Sequence, residues 1–394
     1  MTTTIIIIIC IVLLIAYIFD LTSHRTKIPS VILLLLFGYI LKQITNSLNV
    51  ELPNVDVMLP VFGTVGLILI VLEGSLELEL NKSKIRIIEK SAYGSFITLF
   101  ALSFTFAFMF QYYGHASPKD CLINAIPLAV ISSAVAIPSA RNLLNKHREF
   151  ITYESSLSDI FGVLLFNFIA LNDHIGFHAF GSFIIELISI ILISFISSLG
   201  ISLLLTKIDH HIKFIPIMVL VILIYSVSKV FHLPALVFIL IFGIFLGNLD
   251  EFKRFKWIEI FKPDELDKEV KKFKELTIEA TFLIRALFFI LFGYSLKASD
   301  ILNPETLVWA VGIVLMIFAF RAAQLELSKL PLTPLLFLAP RGLITVLLYL
   351  SIDQSQRILL VNKSLIIQVI ILTALVMMVG LLFSKKVKQT IEIR

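Results

Sequence analysis

Between Tyr153 and Asp159 the sequence reads YESSLSD, and apolar residues follow through Phe166. Carboxylates and hydroxyls so close together supply hard oxygen ligands for a cation, and a carboxylate can equally carry a proton. On a helix, Ser155 and Asp159 stack four residues apart on one face, which Gly162 extends, while Glu154 and Ser158 stack on a neighbouring face. The first face offers oxygens to an ion, and the second turns toward other helices. Further charges fall where the chain is otherwise hydrocarbon: Glu73, Arg285, Arg321 and Arg341, with Glu186, Glu279 and Glu326 nearer the ends of apolar runs. A charge at the centre of a membrane helix costs at least ~2.5 kcal/mol on insertion scales, so each needs a partner or a task.

Other chemistries find no support. His24, His115, His147, His174, His178, His210, His211 and His232 all fall in loops or at span ends, so no buried Ser-His or metal pair can be drawn for an intramembrane hydrolase or acyltransferase. Cys10 and Cys121 lie in or beside apolar segments and read as small hydrophobes, indicating neither a disulfide framework nor a metal site. There is no phosphate-binding loop and no GxGxxG, so no cofactor is expected.

The elements that must position these groups follow from composition. Of 394 residues, 58% are hydrophobic and 15% charged, against about a quarter charged in soluble proteins. Apolar stretches long enough to cross ~30 Å of hydrocarbon recur throughout. They lie at 4–19, 28–44, 54–76, 91–112, 120–143, 150–171, 179–206, 213–231, 233–249, 276–298, 304–325, 330–351 and 360–384. The fold class is an all-α polytopic membrane protein of about thirteen spans. The membrane domain runs over 1–384, with a charged connector helix at 250–275, an interfacial amphipathic piece at 77–90 and a short tail at 385–394. The N-terminus lacks a positive n-region and a cleavage site, which makes the first stretch a retained span.

Lysine and arginine placement gives direction. Alternate loops hold 24 of the 33 Lys and Arg residues, the intervening loops hold six, and Arg285, Arg321 and Arg341 fall inside spans. The positive-inside rule then puts the N-terminus outside and the C-terminus in the cytoplasm of an inner membrane. The same loops explain a pI near 9.0 without a nucleic-acid partner; membrane lipids are the surrounding medium.

Depth, counted at ~1.5 Å per residue, places Asp159 roughly 14 Å into span 6, close to the midplane. Glu154 is one turn in from the cytoplasm, and so is Arg321 on span 11, which predicts that the two pair. Span 5 carries ISSAVAIPSA at mid-depth and span 12 carries APRGLI, both helix-breaking and opposite in direction. Interrupted helices in matching positions of inverted halves mark the binding region of secondary transporters. Spans 1–6 and 8–13 are therefore expected as two inverted-topology six-helix repeats, joined by span 7. Carbonyls freed around Ser132 and Ser133 would join Asp159 and Ser155 as ligands. Arg285 could face either Asp159 or Glu73.

Seven segments in order resemble the monovalent cation/proton antiporter superfamily across essentially the whole chain: KIPSVILLLLFGYIL (27–41), VGLILIVLEGSLELEL (65–80), ISSAVAIP (131–138), YESSLSD (153–159), LFFILFGYSL (287–296), FAFRAAQ (318–324) and APRGLITVLL (339–348). The resemblance implies that Asp159 alternately binds proton and cation, with Ser155 as a ligand beside it and Glu73 as a third-span acid near the ion. It makes Glu154 and Arg321 a salt bridge, and Arg341 the charge that offsets carbonyl ends at the twelfth-span break. It also implies a homodimer, with spans 1–3 and 7–10 as the dimerisation scaffold and spans 4–6 and 11–13 as the ion-carrying core. Two positions depart from the pattern. Ser158 stands where relatives carry Asn or a first Asp, and the Thr-Asp of the fifth-span break is absent, a feature similar to the potassium-efflux branch.

These features together predict exchange of a monovalent cation for protons, without enzymatic activity. Na⁺ is the first expectation, with K⁺ or Li⁺ as alternatives. One titrating acid at the midplane implies one proton per cation and electroneutral transport. The competing readings are K⁺/H⁺ antiport of the potassium-efflux type, and sodium-coupled symport of an organic solute, which needs more cavity-lining polar groups than the sequence offers.

Overall fold

The computed structural model describes residues 2–26, 28–47, 55–78, 80, 82–172, 177–208, 213–252 and 263–384. Expectations for Lys27, for 253–262 of the connector and for the 385–394 tail lie outside the described residues. Among the described residues every regular element is helical. The first apolar stretches form α1 (Thr2–Thr26), α2 (Ser30–Ser47) and α3 (Val55–Glu77). Next come α4 (Ile85–Gly114) and the interrupted pair α5 (Pro118–Ala129) and α6 (Ser133–Ala140). The polar cluster lies on α7 (Asn145–Leu171), followed by α8 (Phe177–Lys207), α9 (Phe214–Val230), α10 (Ala235–Gly247) and the short α11 (Leu249–Phe252). The chain continues as α12 (Pro263–Ser295), α13 (Ala298–Ile301), α14 (Pro304–Leu327), α15 (Leu343–Ser351) and α16 (Lys363–Phe383).

Several boundaries are written in capping residues. Ser117 accepts from the Asp120 amide with Pro118 opening α5, Asn303 accepts from the Glu305 amide with Pro304 opening α14, and Asn362 caps α16 through the Leu365 amide. Two boundaries differ from expectation. Within 77–90, Glu77 ends α3, Lys82–Lys84 form a 3₁₀ turn and residues 85–90 begin α4. The charged run 263–275 is likewise continuous with the following span in α12. Neither junction contains a glycine or proline, and once a helix is nucleated, extending it costs little.

Among the described residues eight helical stretches are long and apolar enough to cross a membrane, counting α5–α6 as one, and three shorter apolar helices accompany them. This is a multi-pass membrane protein. Its outward residues are hydrocarbon, as at Ile185, Ile188, Leu192 and Ile196 along α8. The helices pack as two groups. In one, α12 lies against α2 and α3, and α10 against α3, α8 and α9. In the other, α4 packs on α5 and α7, α14 on α16 and α4, and α15 on α5 and α7. The groups meet largely at α3, which touches α6, α7 and α15.

Candidate functional site

Both expected interruptions are present, and they touch. Val130 and Ser132 are extended between α5 and α6. Before α15, Leu335–Phe337 make one 3₁₀ turn and Leu338–Gly342 carry no helix. This half is less helical than the span expected at 330–351, because Pro331, Pro334 and Pro340 remove amide donors within ten residues. The Ser132 amide donates to the Pro340 carbonyl at 2.9 Å, tying one interruption to the other.

Interrupting a helix exposes amides at one new end and carbonyls at the other. Opposite charges meet each. Arg341, 1% exposed, donates from Nε to the Leu128 carbonyl at 2.7 Å and from Nη2 to that of Ala129 at 3.1 Å, closing the end of α5. Its Nη1 donates to the Ala339 carbonyl at 2.8 Å, and its amide donates to Thr373 Oγ1 on α16. At the start of α6 stands the carboxylate of Asp159, 2% exposed. Its Oδ2 accepts from the Ser133 hydroxyl and from the Ser133 amide at 3.4 Å. Anion at the amino end and cation at the carboxyl end is the arrangement the helix dipole favours.

Ser155, Ser158 and Asp159 are used differently. Ser158 Oγ accepts from the Ile131 amide at 3.0 Å, so it satisfies an orphan donor of the interruption. Ser155 donates to the Ile151 carbonyl of its own helix at 2.7 Å, leaving its oxygen lone pairs free. The Ser132 carbonyl accepts from the Val135 and Ala136 amides, and so is used by α6. Gly162, on the Asp159 stripe, lets α7 lie directly on the interruption, since a side chain there would overlap Val130. Asp159 Oδ1 is buried without a hydrogen-bond partner. Among the described residues no basic side chain forms an ion pair with Asp159.

Glu154 and Arg321 do pair, each side chain 1% exposed. Gln324 closes a triangle, accepting from Arg321 Nη1 at 2.9 Å and donating to Glu154 Oε1 at 3.0 Å. The Leu335 carbonyl accepts from Arg321 Nε and Nη2, both at 3.2 Å, which fixes the 3₁₀ turn to α14.

Arg285 faces Glu73 and is not brought to Asp159. It lies 3.8 Å from Asp20 Oδ1 on α1 and within electrostatic reach of Glu73 on α3. Glu73 is half-buried and faces Thr281 of α12. Sequence reasoning missed Asp20 and gave no task to Gln324. Asp20 falls one residue beyond the first apolar run, and Gln324 stands three residues from Arg321, a spacing that signals contact on a helix. The arrangement leaves one buried carboxylate oxygen, Asp159 Oδ1, without a donor, an atom whose chemistry suits a proton or a small cation.

A family model described as "Sodium/hydrogen exchanger, transmembrane" matches residues 10–388. Two solved structures of the sodium proton antiporter MjNhaP1 from Methanocaldococcus jannaschii share the fold at 18% identity. One, at pH 8, has a TM-score of 0.68 and covers 97% of this chain and 96% of that one. The other, from electron microscopy, has a TM-score of 0.69 and covers 96% and 95%. No curated protein sequence gives a significant match.

Proposed function

The chain belongs to the sodium/hydrogen exchanger family, and from that premise we propose that it exchanges Na⁺ for H⁺, one for one, at Asp159. A single observation carries this reading: one oxygen of a buried carboxylate is committed to two donors while the other has no partner. Hydrogen-bond donors can meet only an acceptor, so proton and cation must both arrive at Oδ1 and compete there. Either one neutralises the site. The bare carboxylate is held back, because moving an uncompensated charge through a low-dielectric interior is costly. Ser155 contributes a lone pair to the cation, and Ser158 and Ser133 hold the interruption in place around it.

Electroneutrality follows from the charges around the site. Arg321 compensates Glu154 and Arg285 opposes Glu73, so Asp159 is left as the acid whose charge changes with its occupant. The group comprising α4–α7 and α14–α16 would carry the site, moving against α1–α3 and α8–α12, with the latter forming a homodimer in the inner membrane and the N-terminus outside. The two interruptions would then be the crossing points of two inverted repeats.

Purified protein in vesicles with a trapped pH dye tests this. Adding Na⁺, Li⁺ or K⁺ in turn should dequench the dye, most strongly with Na⁺. Asp159→Asn should abolish the response while the protein stays folded, and exchange retained by that variant sinks the assignment. A response to K⁺ alone would favour the potassium-efflux type, the reading supported by the Ser132–Ser133 pair where an acid is absent.

A further inference from the structure

Ser156 is 2% exposed, and its Oγ has no hydrogen-bond partner. Its neighbours on α7 behave differently: Thr152 donates to the Arg148 carbonyl at 3.0 Å and Ser155 to that of Ile151, each turning back into the helix. That back-bond is the usual resting place of a helical hydroxyl in an apolar setting, and Ser156 does not take it. A buried hydroxyl without a partner is costly, which makes it a candidate for a group that acts only when something arrives.

Thr98, Ser103 and Ser198 also have buried oxygens without partners, but none of them is within a turn of Asp159. At about 100° per residue, Asp159 projects between Ser155, roughly 40° to one side, and Ser156, roughly 60° to the other. Three residues apart on a helix, Ser156 and Asp159 have Cβ atoms ~5–6 Å apart, a gap that one cation bonded to both side chains can bridge. Ser156 also looks across the junction between the two helix groups. A methyl group at Gly74 of α3 would stand 2.9 Å from its Oγ, and Gly74 directly follows Glu73. The glycine leaves the hydroxyl room to turn.

We propose that Ser156 is a further ligand of the transported cation, its hydroxyl oxygen joining Asp159 Oδ1 across one turn of α7. The inference rests on Asp159 as the exchange site and adds to it. Both orphan oxygens of this turn then have one task. With a cation bound, Ser156 presents a lone pair to it. With a proton bound at Oδ1 and the cation gone, the Ser156 hydroxyl is left as it stands here, without a partner. Ser155 keeps its hydrogen in the helix in both states.

Kinetics in pH-dye vesicles test this. Ser156→Ala should raise the KM for Na⁺ about tenfold, the scale of one lost contact to a charged group, with the maximal rate within about twofold. Ser156→Thr, which keeps the oxygen, should stay near the wild-type KM. Gly74→Ala, which crowds the oxygen without removing it, should raise the KM, and this carries the test if Ser156→Ala fails to fold. Ser198→Ala, a buried hydroxyl on α8, should leave KM unchanged. An unchanged KM in Ser156→Ala, or a fall in maximal rate at constant KM, would overturn the proposal. Binding is read separately from exchange through the Na⁺ concentration above which the melting temperature in detergent begins to rise, which should also shift about tenfold. If exchange is absent in the wild type or survives Asp159→Asn, the antiport reading fails, and the binding shift still decides the role of Ser156.

Discussion

At the scale of single residues, the buried ion pair of Glu154 and Arg321 has consequences that can be measured. Removing one partner from a buried pair costs about 3–5 kcal/mol, because the other is left charged and uncompensated, whereas replacing both by neutral groups costs far less. Glu154→Gln should therefore lower the detergent melting temperature sharply and strand the guanidinium that also holds the Leu335 carbonyl. Adding Arg321→Gln should recover part of the loss, and a double-mutant cycle by thermal melting measures the coupling. Additive effects would show that the two charges do not depend on each other. This pair was legible in the sequence, because buried opposite charges at equal depth must find each other. The partner of Arg285 was not. Hydropathy ends the first span at residue 19, whereas α1 continues to Thr26 and carries Asp20 within 3.8 Å of that guanidinium. Ser158 shows a different limit: its residue type suits an ion, but the orphan amide of Ile131 that claims it exists only once two distant segments fold together.

At the scale of elements, the interruptions behave as two helix ends that need opposite charges, and Arg341 answers the carbonyl end with three donors in a fixed fork. Lysine cannot copy this. Its ammonium is a point charge on a flexible stem, whereas guanidinium reaches the Leu128, Ala129 and Ala339 carbonyls at once. Arg341→Lys should leave at least one buried carbonyl unpaired, at about 1–3 kcal/mol, giving lower thermal stability and slower exchange with assembly preserved. Unchanged exchange and melting in vesicles and detergent would show that charge alone suffices. The interruptions could be read from Ser132 and Ser133 in one span and Pro340 in the other, whereas Pro138 lies inside α6 and not at a break. What could not be read was continuity. The charged run 263–275 looks like a connector by composition, yet after Pro263 at its first position the good helix formers run on without glycine or proline straight into the apolar half of α12.

At the scale of the whole molecule, two packed helix groups meet at α3, and in the proposed exchange the site rides on one of them. Such a site must cross with the same net charge whichever ion it holds, or the membrane potential, worth ~2.3 kcal/mol per charge per 100 mV, would drive one direction and oppose the other. With proton and cation sharing Oδ1, the loaded states are isoelectric. Two consequences can be measured together in vesicles. Raising the proton concentration on the Na⁺ side alone, with saturating protons on the other side, should raise the KM for Na⁺ while leaving the maximal rate unchanged, because the ions compete for one atom. An imposed K⁺-valinomycin potential should leave the rate unaltered. A rate that follows the potential would require a second titrating group, and Glu73, opposed by Arg285 in this arrangement, is the acid positioned to supply it.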